Sequence, residues 1–160
     1  MAELADLVTD LDASRDAFHE ALADVDVDLV TVPGVVGDWS VRDLVVHVAA
    51  WSEHAVAALD LASAGRGDEF AYSTDETDAM NEEILAAGRD LSPREALERE
   101  DAAFGAFREA VLALDPGLLT SRLGNGDSVE DVVRYDGPDH YAEHTEHLRA
   151  WFGDDPPDEG

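Results

Sequence analysis

Leu4, Leu7, Leu11, Phe18 and Leu22 follow one another at steps of three, four and seven residues, a spacing that lays one apolar stripe along a helix. It predicts a first helix over residues 2 to about 23. The stretch DVDVDLVTVPGVVGD that follows is a loop, because Pro33, Gly34 and Gly37 break any periodicity. A second helix begins at WSVRDLVVHVAAWSEHAVAALDLASAG. Ser40 caps it, Asp43 returns the bond as a capping box, Trp39 and Leu44 form a hydrophobic staple, and Gly65 suits its end.

The segment TDETDAMNEEILAAG predicts a third, shorter helix, with Ser73 and Glu76 at capping-box spacing. In LSPREALEREDAAFGAFREAVLAL the cap is Ser92, Pro93 sits in the first turn and Glu95 closes the box; this helix ends before Pro116. The polar turn RLGNGDS precedes a short helix over 129–134, and after Gly137-Pro138 a last helix runs to about residue 152. No strand of useful length and no tandem repeat interrupts this pattern. The expectation is an all-α fold, an antiparallel four-helix bundle with a short additional helix. It forms one domain over 1–153, followed by a frayed acidic tail over 154–160.

Composition changes the picture through charge. The chain carries 38 acidic residues against 10 basic ones, all arginine, for a formal net charge of -28. Self-repulsion of this size destabilises a compact state where screening reaches about 8 Å, and molar salt shortens that to about 3 Å. The acids are spread along the chain rather than blocked, so they read as a surface adaptation to a salt-rich interior, the halophilic pattern, and not as a substrate signal. Without a basic patch, nucleic acid is excluded as a partner on charge grounds. The absence of cysteine leaves histidines and carboxylates as the only strong metal ligands. The N-terminus lacks a basic n-region and no apolar run approaches about 20 residues, so neither a signal peptide nor a membrane span is expected. A cytoplasmic location follows from that reading.

Three of the six histidines fall within DHYAEHTEHLRAW. At about 100° and 1.5 Å per residue, His144 lies about 40° from His140 and His147 about 20° the other way, so all three share a face. His140 and His147 are nevertheless about 10 Å apart along the axis, too far to hold one ion together. A single ion takes His140 with His144, or His144 with His147, and needs a ligand from elsewhere. His47 and His54 of the second helix are the candidates. His47 is preferred because Leu44, Val48 and Trp51 turn it inward. Asp43, one turn earlier, is either the orienting partner of His47 or only the cap. The plain alternatives are a core histidine bonded to a carbonyl at 47, and a solvated face beside Glu143 and Glu146 for the pair. His19 reads as a surface residue, and Trp51 and Trp151 as packing.

Taken together, GDWSVRDLVVHVAAWSEH, DAMNEEILAAGRDLSPREAL and DHYAEHTEHLRAW resemble the DinB-like superfamily of four-helix bundles, especially its ClbS/DfsB branch. The resemblance implies a divalent metal (zinc, nickel or iron) held by one histidine of the second helix and two of the last, here His47, His140 and His144. His147 then becomes a pocket residue, and Glu143, Tyr141 and His147 are the candidates for moving a proton. Trp51, Trp151 and His54 are expected to line a pocket. The superfamily's activities imply a metal-dependent transferase or hydrolase acting on a small electrophile, with a low-molecular-weight thiol as cosubstrate, in detoxification or stress. The alternative is a non-catalytic bundle that sequesters a small molecule or serves a structural role, and a homodimer is compatible with either.

Overall fold

The computed structural model describes residues 4–70 and 74–152. Four long helices make the frame: α1 (Leu4–Ala23), α2 (Val41–Ser63), α4 (Pro93–Ala113) and α6 (Pro138–Phe152). Two shorter ones, α3 (Thr77–Gly88) and α5 (Val129–Asp136), complete the set, and no strand occurs among the described residues beyond two isolated bridges. The fold is an all-α bundle, as the periodicity predicts.

Capping residues fix where these helices begin. Ser40 with Asp43, Ser92 with Glu95, and Ser128 with Asp131 each form a reciprocal capping box, which satisfies otherwise orphaned N–H groups and sets the phase of the helix that follows. The box on Ser73 lies outside the described residues, and α3 starts at Thr77 after a short 3-10 turn, with Glu76 making no side-chain cap. The tail over 154–160 also lies outside them.

The α1 stripe is buried as its spacing requires: Leu7, Leu11 and Phe18 are fully covered, and Leu4 and Leu22 pack at the edge of the core. α2 is the central element, with 13 of its 23 residues buried. It packs chiefly on α4 and also meets α3, α5 and α6, while α1 pairs with α6. This centrality bears on the expectation that no segment spans a membrane. By length and composition α2 is apolar enough to cross a membrane, the one such helix among the described residues, and 67% of its apolar window is buried inside the fold. The apolar residues that would face lipid are those that make the core.

A single residue, Gly137, separates α5 from α6. A Cβ there would meet the Val133 carbonyl, Leu11 and Phe107, so only glycine allows the chain to bend so close to α1 and α4. The bend sets the first turn of α6 against α2, and that turn carries His140.

Candidate metal centre and its cavity

His47 is 7% exposed and reaches from α2 towards α6. Its Nε2 lies 2.9 Å from His140 Nε2. The His144 ring centre stands 5.0 Å from that of His47 and 4.6 Å from that of His140. One nitrogen from each of the three lies within 4.8 Å of the others, the one such group among the described residues able to hold an ion.

The donor set fits a metal. Nδ1 of His47 and Nδ1 of His140 are buried without a hydrogen-bond partner, and buried polar atoms are seldom left so. Burial, and then the neighbouring rings, push His47 and His140 down to about 3 and His144 to about 2. All three rings are therefore neutral at neutral pH, the form in which imidazole binds a metal. His147 Nδ1 lies 3.0 Å from His144 Nδ1. One of the two must donate, so His147 fixes the tautomer and orientation of His144.

The cluster opens into a cavity of about 700 Å³ bounded by α2, α3, α5, α6 and the loop before α2. Trp39 covers His47 at 4.6 Å between ring centres. Trp51 donates its Nε1–H to Asn81 Oδ1 at 2.8 Å, which joins α2 to α3 across the cavity wall. Tyr135 donates to Asp127 Oδ2 at 3.0 Å, and its hydroxyl is held well above the ordinary phenol range by burial and by Asp127 and Asp136.

Residues 11–150 match the family described as mycothiol maleylpyruvate isomerase N-terminal domain. The chain belongs to that family. Among curated proteins none matches it. Two solved structures share the fold of this family member. The colibactin self-resistance protein ClbS, in complex with double-stranded DNA, superposes with a TM-score of 0.80 at 14% identity, covering 93% of this chain and 94% of that one. An uncharacterised protein from Escherichia coli UTI89 gives 0.77 at 17% identity, over 93% and 92%. The fold is thus DinB-like and ClbS-like.

The ClbS complex corrects the exclusion of nucleic acid. A bundle of this fold is found on duplex DNA, so the exclusion drawn from the missing basic patch does not stand.

Within this family member the residues singled out from the sequence scatter more than expected. His47, His140, His144, His147, Glu143 and Trp51 all line the cavity. His54 stands behind the wall, its Nδ1 3.3 Å from Asp136 Oδ2. Tyr141 is fully buried and donates its hydroxyl to Glu100, away from the cavity lining. Trp151 lies over Gly34, whose φ of +130° and missing Cβ admit the indole, and it is not part of the cavity lining. Asp43 accepts from the Ser40 N–H and from Arg42, which makes it the capping-box partner of Ser40. His19 is not a plain surface residue: its Nε2 lies 2.9 Å from Glu100 Oε1. Two further carboxylates carry a signal in the sequence itself. Asp136 continues the stripe of Val129, Val132 and Val133, and Glu100 stands between Ala96 and Phe104 at helical spacing. A carboxylate at an apolar position marks a buried charge.

Proposed function

We propose that the protein holds one divalent metal through His47, His140 and His144 and acts as a metal-dependent transferase or hydrolase on a small electrophile, with a low-molecular-weight thiol as the favoured cosubstrate. The observation that carries this reading is the convergence of three neutral imidazoles, two with unpartnered nitrogens, on one cavity. A metal bound by three histidines supplies an open position at which a water or thiol loses its proton near neutral pH. The family description, with its reference to mycothiol, supports a thiol, which this cysteine-free chain cannot supply itself.

The chain's own residues do the rest. His147 holds His144 in one tautomer, Trp39 shields His47 from water, and Trp51 with Asn81 closes the wall. Glu143 is exposed at the cavity rim and His147 is half-buried, which places both where a proton can pass to solvent. The test is consumption of a small electrophile, such as monobromobimane with N-acetylcysteine, by metal-loaded and chelator-treated protein. Turnover only in the loaded sample is expected. Stoichiometric binding without turnover would favour the alternative, a bundle that sequesters its ligand. Duplex DNA, the partner of the ClbS relative, is tested beside it by mobility shift.

The acidity supports a salt-rich cytoplasm as the working medium. With 38 acidic residues and 10 arginines, screening removes more repulsion than it removes attraction. The melting temperature is expected to climb between about 0.1 M and 2 M KCl. Equal melting at both concentrations contradicts the idea.

A further inference from the structure

Among the described residues two carboxylates are buried, Glu100 and Asp136, and they are neutralised differently. Glu100 has a counter-cation built in: Arg15 forks onto it at 3.0 and 2.9 Å. Asp136 is 4% exposed, and among the described residues its one ion-pair partner is His54, at 3.3 Å. A buried carboxylate whose one ion-pair partner carries charge only when protonated is costly to keep. Burial accordingly raises its carboxyl to about 6, against the smaller opposite pull of His54, and it remains mostly ionised at neutral pH.

Asp136 faces the same cavity as the histidine cluster. Asp127 and Glu143 add two more carboxylates to the wall, and among the described residues no arginine lines it. Trp39, Trp51 and Tyr135 supply aromatic surface, which attracts cations. His47, more than nine-tenths buried in that wall, keeps an unpartnered nitrogen. An anionic ligand would meet three carboxylates in this wall, whereas a cationic one would give Asp136 a permanent counter-charge, which a histidine supplies only when protonated.

We propose that the cavity takes a small molecule bearing an organic cation, an amine or a protonated nitrogen heterocycle, whose charge pairs with Asp136 while its remainder extends to the histidine cluster. The proposal rests on the reading of this cavity as the ligand site and adds the charge class of what enters it. Asp136 is then a specificity-determining residue.

Three fragments of one shape test it: benzylamine, benzyl alcohol and benzoate, titrated into wild-type protein and read by tryptophan fluorescence, since Trp39 and Trp51 line the cavity. Benzylamine is expected to bind about tenfold more tightly than benzyl alcohol, as for a hydrogen bond to a charged group, and benzoate most weakly. Asp136→Asn, which keeps the shape and removes the charge, is expected to erase the preference. The exposed Asp60→Asn serves as control and should retain it. Repeating the series at about 2 M KCl separates the cavity from general attraction to an acidic surface, because screening then acts within about 3 Å. Equal binding of the alcohol or benzoate, no binding of any fragment, or loss of the preference at high salt overturns the proposal in the wild type alone, whatever the fold of the variant. A preference that survives Asp136→Asn overturns the role of that residue. Metal content measured on the same samples keeps the readings apart: amine preference without metal affinity removes the metal-dependent function only, and metal uptake without amine preference removes this inference only.

Discussion

Glu100→Gln is expected to destabilise the fold by about 3–5 kcal/mol at neutral pH, the range for breaking a buried ion pair from one side. Glu100 sits on α4 with no exposed surface. Arg15 and His19 bind it from α1 and the Tyr141 hydroxyl from α6, so one carboxylate ties three of the four long helices together. Burial alone would raise its carboxyl. The bonds from His19, Arg15 and Tyr141 outweigh burial and hold it at about 2, against an ordinary 4.5. A depressed carboxyl contributes its full stability above pH 4.5, and loses it as the pH falls from there towards 2. Thermal melts of wild type and variant at pH 7, 4 and 3, in molar KCl to suppress surface repulsion, should therefore show a gap that narrows in acid. A gap that stays constant with pH would show that Glu100 is held by packing rather than by charge.

His144→Ala is expected to weaken metal binding by at least about 100-fold, at or beyond the upper end of what the loss of an outer hydrogen-bonding partner does. Its ring lies against both His47 and His140, so its removal leaves two donors from different helices and no third. His147→Ala should act more mildly, by about 10- to 100-fold, because that ring orients His144 rather than supplying the third nitrogen. Competition titration against a chromophoric chelator separates the two. An equal effect of both changes would contradict the division of roles. Neither change touches the Glu100 network; His144 is itself buried, so its truncation is expected to lower the melting temperature through the cavity it leaves, while the half-buried His147 should cost less.

The helices were legible in the sequence wherever a local rule acted alone. Ser40 with Asp43 and Ser92 with Glu95 mark helix starts because a capping box is written within four residues. The face shared by His140, His144 and His147 follows from helical rotation, and the inward turn of His47 follows from its apolar neighbours. Which tryptophan lines the cavity was not legible. Trp51 and Trp151 both follow histidines on apolar faces, yet Trp151 is claimed by Gly34 in the loop between α1 and α2, a contact some 117 positions away along the chain. Tyr141 was misplaced for a related reason. It adjoins His140 in sequence, but one helical step turns it about 100°, onto Glu100 and into the core. The charges at 100 and 136 stand at apolar positions of their helices, but their partners, Arg15 and His54, lie on other helices and leave no local signal.

Metal content of the untagged protein, measured by elemental analysis after titration with zinc and with nickel and removal of excess, tests the central claim most directly. The arrangement of His47, His140 and His144 predicts one ion per chain in the wild type and none retained after His47→Ala or His144→Ala. A wild-type protein that takes up neither metal, or variants that retain it as well as the wild type, would contradict the assignment of this cluster as a metal centre.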